Sequence, residues 1–407
     1  MKKPNKYQEL FHALAAVVGA GEFAKLMTAQ SCERRVVQDL LLPSPVRQPP
    51  LDITPAAYLN PEYQMVDFDY RDEDFAEFQQ WADWSGDSLN AWRLVHGDTG
   101  RGKTRMMVEL VQKLRKDSNQ SGKDNAWFAG FVNIKAFLDH DEADEFLAEF
   151  GSPLFIVVDY AERNEAVVTR LLKLSRVRAQ STQKLVTRIV LLSRKRSELW
   201  TQLFEQDAEL AQLDSNALAD VPLPPIPAEQ NVDDLFDTAY RCFCTRLKKE
   251  PEVLNPDLSS LLQEGQGADI GLVHMAALVA ALAPDEMRVG KNYRPTEEKV
   301  LEFLLARERR HWVKTAEARG FSAGLGHIDV LRDAATLITF MAQEASIESA
   351  EHARNILRKS TLLEGCSEPE LQLVTNLFRD LYPGDGHVNG VTPDLLGAYL
   401  VSKELAQ

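Results

Sequence analysis

Between Tyr63 and Pro227 four short apolar runs alternate with stretches of helical spacing. The runs are "WRLVHG", "AWFAGFVNI", "PLFIVVD" and "RIVLLS"; the helical stretches begin near Lys103, Ile134, Arg163 and Ser197. A strand with no polar face has to be covered on both sides, and helices between such strands do the covering. The pattern predicts an α/β domain on a parallel sheet over residues 63–227.

The flanking sequence is of another kind. Leu10, Leu14, Val17, Val18, Phe23, Leu26 and Met27 are spaced as on a helix, so 1–42 reads as a small helical segment. Prolines at 43, 45, 49, 50, 55 and 61 exclude helix and central strand, and mark 43–62 as a linker. After "VPLPPIP", stretches such as "VDDLFDTAYRCFCTRL" and "IDVLRDAATLITFMAQ" carry helical spacing, so 228–407 reads as α-helical. "MKK" followed by "ALAAVVGAG" imitates a secretory leader, but Glu9 and His12 interrupt it and the apolar run is short. No run reaches the roughly 20 apolar residues of a membrane span. A cytoplasmic chain with no membrane partner is expected.

The first apolar run ends in "VHGDTGRGKT", where Gly97, Gly102, Lys103 and Thr104 fit Gly-x-x-x-x-Gly-Lys-Thr without a gap. A strand precedes this loop and the helical "TRMMVELVQKLRK" follows it, as a phosphate loop requires. Glycines let successive N–H groups converge on phosphate oxygens, and the helix dipole adds positive potential there. Gly97, Asp98, Thr99, Gly100, Arg101, Gly102, Lys103, Thr104 and Arg105 are the candidate nucleotide-binding residues. Lys103 would meet the terminal phosphates and the Thr104 hydroxyl a magnesium ion.

The run "PLFIVVDYAER" ends in Asp159, an acid placed to hold that magnesium directly or through water. Three residues on, Glu162 can polarise an attacking water, although an acid that merely opens a helix occupies the same place. "RIVLLSR" ends in Ser193 and Arg194. An arginine at the C-terminal edge of an open α/β sheet can reach a γ-phosphate and report its presence. Lys103, Asp159, Glu162 and Arg194 are thus the candidate catalytic set, with Thr104 and Asp159 as metal ligands.

Other chemistries find little support. A net charge of −15 argues against a chain built to coat nucleic acid or an anionic membrane. Cys32, Cys242, Cys244 and Cys366 are too few and scattered for a disulfide framework, and Cys242 and Cys244 lack the second pair of a zinc site. "DHDEADE" lacks the glycine and terminal glutamate of a calcium loop and reads as a solvated helix face.

These motifs, with their surroundings, resemble the STAND class of P-loop NTPases, relatives of the NACHT and NB-ARC domains, and more closely a bacterial STAND group. "VDFDYRDEDFAEFQQWADW" is similar to that group's lead-in segment, with Phe68, Arg71 and Phe75 before a helix ending in tryptophan. "VVDYAER" and "RIVLLSR" are similar to its acid and sensor strands. "HMAALVAAL", "LLARERRHW" and "TPDLLGAYLV" look like segments of its helical and winged-helix parts, so the likeness spans about 55–405. The resemblance implies an ASCE-type sheet with one more strand between the loop strand and the Asp159 strand. It also implies a helical domain (228–315) and a degenerate winged helix (316–407), and it adds Arg71 to the nucleotide-binding residues. It implies ADP held at rest, exchange for ATP, and assembly into a homo-oligomer.

The chain departs from that pattern in two places. The Gly-x-Pro turn of the helical domain should fall near Ile270–Val273, where there is no proline, and Pro393 and Asp394 stand where a His-Asp pair belongs. The repeat sensor usual in that class is not found before Gln407, so either the sequence is a piece of a longer chain or a separate sensor or effector protein is an expected partner. Two other functions compete with the switch. One is a working AAA+-type ATPase, with Arg307, Arg309 and Arg310 as finger candidates by chemistry alone. The other is a winged-helix DNA binder using a basic patch at Arg354–Lys359, which the overall acidity disfavours.

Overall fold

The computed structural model describes residues 37–42, 54–83, 89–121, 127–140, 143–180, 185–194, 218–227, 232–263, 267–282, 288–289, 292–293, 295–344, 347, 349–382 and 388–406. The helical spacing of 6–36 and the helix expected from Ser197 lie outside them. Six strands make one sheet: β1 (Leu41–Leu42), β2 (Asn90–His96), β3 (Phe128–Val132), β4 (Leu154–Val158), β5 (Thr187–Ser193) and β6 (Leu218–Pro222). Their spatial order is β1-β3-β4-β5-β2-β6. All neighbours are parallel except β1, which pairs antiparallel with β3. β5 lies between the loop strand β2 and the acid strand β4, the additional strand that the ASCE arrangement calls for.

The alternation along each strand explains the unbroken apolar runs. On β4, Leu154, Ile156 and Val158 join one core with α5 (Glu165–Gln180), whereas Phe155 and Val157 join another with α1 (Asp72–Asp83) and α2 (Lys103–Ser121). Both faces are dry, so no position on this strand can be polar. The short helices α3 (Ile134–Asp139) and α4 (Ala143–Glu149) complete the first side. Asp144, from the acidic stretch, pairs with Arg170 of α5 at 3.0 Å.

The helical half contains α6 (Val232–Arg246), α7 (Ile270–Leu282), α8 (Glu297–Ala318), α9 (Ile328–Glu344), α10 (Ala350–Leu357), α11 (Glu368–Leu381) and α12 (Asp394–Leu405). α7 is apolar on nearly every side and runs through the middle of this core. An antiparallel bridge between Ile347 and Val388 ties the chain after α9 to the chain before α12. With α10 and α11 between them, these elements follow the order of a winged helix, joined among the described residues by this bridge.

Two boundaries shift from the sequence reading. Leu41–Leu42, placed in the N-terminal helical segment, enter the main sheet as its edge strand, because Leu41 packs against the β3–β4 side of the core. The end of the linker is built into the molecule: Ala56–Leu59 and Pro61–Tyr63 form tight 3-10 turns, and Ala56, Tyr63, Met65 and Val66 bury in the helical core.

Glu308 of α8 anchors that segment. Its fully buried carboxylate accepts from the Ala56 N–H at 2.5 Å and from the Tyr382 hydroxyl at 2.5 Å, and Trp312 Nε1 donates to the same hydroxyl at 2.7 Å. Burial pushes the carboxyl up to about 7, against the hydrogen bonds of Tyr382, Ala56 and Thr54. Between the ordinary value of 4.5 and about 7, the folded chain holds a proton here that the unfolded chain has released. The stability this group contributes is therefore full below the ordinary value and is lost as pH rises to about 7, at most about 3 kcal/mol. Urea melts at several pH values are expected to show a fall over that window in the parent that Glu308→Gln lacks. Equal slopes in both proteins would exclude Glu308 as the source.

A phosphate loop closed over by the helical half

β2 delivers the chain to the loop and is held there from the β6 side. The Leu223 N–H donates to the His96 carbonyl at 2.7 Å, and His96 Nε2 meets Asp220 of β6 at 2.8 Å. The loop then turns through positive φ at Gly97, Gly100 and Gly102 (154°, 89° and 89°), a backbone that side chains resist. At Gly97 a Cβ would also stand 2.7 Å from the Leu223 carbonyl oxygen. α2 starts at Lys103, so the N–H groups of its first turn have no carbonyl within the helix. That backbone is a cradle for an anion, and the residues present fit a nucleotide phosphate chain.

Thr104 and Asp159, the candidate metal ligands, lie side by side. Thr104 Oγ1 donates to Asp159 Oδ2 at 2.9 Å across the β2–β4 gap, and the Tyr160 N–H donates to Oδ1 at 2.9 Å. Burial raises Asp159 to about 6, opposed by Thr104, the Tyr160 N–H and Lys103. A magnesium ion would be held by Thr104 and Asp159, and would supply a positive charge against the terminal phosphates. Lys103 Nζ donates to the Gly97 and Asp98 carbonyl oxygens at 2.5 and 2.9 Å. Burial holds it below the usual lysine range, against Asp159, Glu162, Asp394 and Asp98.

Glu162 and Arg194, expected as separate base and sensor, form one unit. Arg194 Nε donates to Glu162 Oε1 at 3.3 Å, and its guanidinium stands 5.9 Å from the Tyr160 ring centre. This contact uses Nε of Arg194 and one oxygen of Glu162; Glu162 Oε2 has no hydrogen-bond partner in the chain.

The other arginines assigned to the nucleotide spend their donors on protein. Arg71 Nη2 donates to the Arg101 and Pro224 carbonyls at 3.1 and 2.5 Å, bracing the loop from behind. Arg101 pairs with Asp269 at 2.8 Å and Asp98 at 3.1 Å. Arg105 pairs with Glu109 at 2.5 Å and donates to the Val66 carbonyl at 3.1 Å. Arg309 pairs within the chain, with Glu404 of α12 at 2.6 Å.

Sequence reasoning missed what the helical half brings here. The Gly271 N–H at the head of α7 donates to the Gly100 carbonyl at 2.9 Å, and a Cβ on Gly271 would stand 2.8 Å from Gly100 Cα. The segment that lacks the family's proline thus still touches the loop, and Gly271 is the signal that could have found it. From the other end, Asp394 at the head of α12 accepts from the Tyr160 hydroxyl at 3.1 Å, across 234 residues. Tyr160 takes a left-handed backbone (φ 48°, ψ 49°) directly after Asp159.

No family profile and no curated protein matches this chain. Among solved structures it is similar to the ORC1 protein of Aeropyrum pernix in complex with DNA, at 16% identity and a TM-score of 0.42 over 85% of this chain and 96% of that one. The Aeropyrum pernix ORC2 protein in ADPNP–ADP complexes follows at 13% and 0.37, over 83% and 95%. AMPPCP-bound DnaA from Aquifex aeolicus stands at 12% and 0.36, over 86% and 94%. With all three TM-scores below 0.5, none of these likenesses bears on what this chain does.

Lys103→Ala is expected to abolish binding of a fluorescent ADP analogue. Glu162→Gln should bind it within about threefold of the parent while ATP turnover falls at least about a hundredfold, the usual scale for a general base. Full ATP affinity in Lys103→Ala would displace the phosphate site from this loop.

Proposed function

We propose that the chain is a nucleotide switch: an ATP- and ADP-binding P-loop NTPase that hydrolyses slowly and changes shape and assembly with the phosphate count. The observation that carries this reading is the Tyr160–Asp394 hydrogen bond. Through it the C-terminal body places a carboxylate where Lys103 and Asp159 both feel it. A diphosphate leaves room for that negative charge. A third phosphate adds charge of the same sign beside it, so the triphosphate favours the state in which Asp394 has moved away.

The magnitudes are adequate. Turning a 1:99 population into 99:1 takes about 5.5 kcal/mol of differential binding. Charge-assisted hydrogen bonds contribute about 1.5–3 kcal/mol each, so contacts from Lys103 and Arg194, with relief from Asp394, are of that order. Lys103 has one N–H beyond those it gives to Gly97 and Asp98, and the Arg194 guanidinium meets Glu162 through Nε alone.

A second reading, an AAA+-type ATPase that remodels protein or nucleic acid, is favoured by the completeness of the hydrolytic set. Thr104, Asp159, Glu162 and Arg194 are joined by hydrogen bonds in one cleft with Lys103. Turnover separates the two. The switch predicts ADP co-purifying with the protein and fewer than about one ATP per minute, far below the usual 1–1000 per second. One per second or more without bound ADP selects the working ATPase. The net charge of −15 weighs against a DNA duplex as the partner, and saturable binding of a labelled duplex at physiological salt would reverse that.

Tyr160→Phe removes one hydroxyl from the contact and leaves the ring. It is expected to shift the ratio of ATP to ADP affinity about tenfold toward ATP, the scale of one such bond, and to raise the assembled fraction in ATP by light scattering. An unchanged ratio and size distribution would remove the Asp394 contact from the switch.

A further inference from the structure

The phosphate end of the site is built from the loop and two strand tips, but the sequence shows no motif that reads a base. The wall beyond the phosphates is where such a reader would stand. At the first turn of α2, Arg105 faces the lead-in segment, donating to the Val66 carbonyl at 3.1 Å. The second wall is α7, fastened to the loop by Gly271 and by Ile270, whose Cδ1 lies 3.4 Å from where a Cβ on Gly102 would be.

His274 stands on α7 three residues after Gly271 and four after Ile270, on the helix face those two turn toward the loop. Its Nε2 is buried and has no hydrogen-bond partner in the chain. Burial, with the Arg105 charge nearby, drives the ring down to about 4, so it is neutral. A neutral imidazole nitrogen can donate or accept, according to its tautomer. Buried without a partner, it destabilises the fold that contains it, and the partner has to come from elsewhere.

We propose that His274 Nε2 is the nucleobase-reading group of this site, hydrogen-bonding the six-position edge of a purine that lies between α7, Arg105 and Val66. The placement rests on the phosphate-loop reading above. As an acceptor the nitrogen takes the amino group of adenine; as a donor it takes the carbonyl of hypoxanthine. Either way it distinguishes ATP from inosine triphosphate, which differ at that edge, and His274→Leu, of similar bulk without the nitrogen, cannot.

The test compares parent, His274→Leu and His274→Gln by calorimetric titration with ATP, inosine triphosphate and inorganic tripolyphosphate, and by melting without ligand. The parent is expected to prefer one nucleotide by at least about tenfold. In His274→Leu that preference falls below about twofold while tripolyphosphate binds as in the parent. His274→Gln keeps part of it. Without ligand, His274→Leu melts no lower than the parent, because it removes an unpaired polar atom. A preference that survives in His274→Leu, a parent with no preference, or a ligand-free melting temperature several degrees lower would each overturn the assignment. If the parent binds neither tripolyphosphate nor ATP, the phosphate-loop reading fails, and this inference with it.

Discussion

The hydrogen bond from the Gly271 N–H to the Gly100 carbonyl joins the helical half to the phosphate loop backbone to backbone, as the Ile226–Ala268 bridge joins it to the chain after β6. Only glycine on α7 allows it, since a Cβ would stand 2.8 Å from Gly100 Cα. Once that approach is made, Asp269 reaches Arg101, Ile270 covers Gly102 and His274 comes to rest beside Arg105. The phosphate loop is thus shaped from outside as well as by its own glycines. A motion of the helical half would be felt directly at the loop.

Charge makes the closed arrangement conditional. Lys103 has four carboxylates in range (Asp159, Glu162, Asp394 and Asp98), and burial strips it of the water that would offset them. Burying like charges together is unfavourable unless a cation or a proton intervenes. The raised Asp159 carboxyl and the Arg194–Glu162 pair are both signs of that pressure. A magnesium ion held by Thr104 and Asp159 would offset these carboxylates.

Much of the fold was legible because its rules are local. β4 and β5 read as strands from composition alone, since every residue in them is buried. β6 was missed because "LADVP" sits at the sheet edge with one partner strand and carries an aspartate and a proline. β1 was missed because two leucines at the end of a helical pattern give no period. At the site, the loop, Asp159 and Arg194 were legible by the same logic, each standing at the end of an apolar run. The pairing of Arg194 with Glu162 was not, because it depends on how β5 and the turn after β4 lie side by side. Arg71, Arg101 and Arg105 were read as ligand groups, since sequence shows charge but not the carbonyls and carboxylates that satisfy it.

The contacts hardest to read from sequence are those that tie function to the helical half. A tyrosine and an aspartate 234 residues apart have no shared pattern, and the resemblance set Pro393, not Asp394, in the place of the missing histidine. A histidine there would be attracted to phosphate, whereas the proline has no N–H to offer it. The carboxylate beside it is repelled by phosphate and takes its hydrogen bond from Tyr160 instead. On the proposed switch reading the closed state draws its stability from a bond between protein groups, and a nucleotide would act by weakening that bond instead of by bridging the two halves.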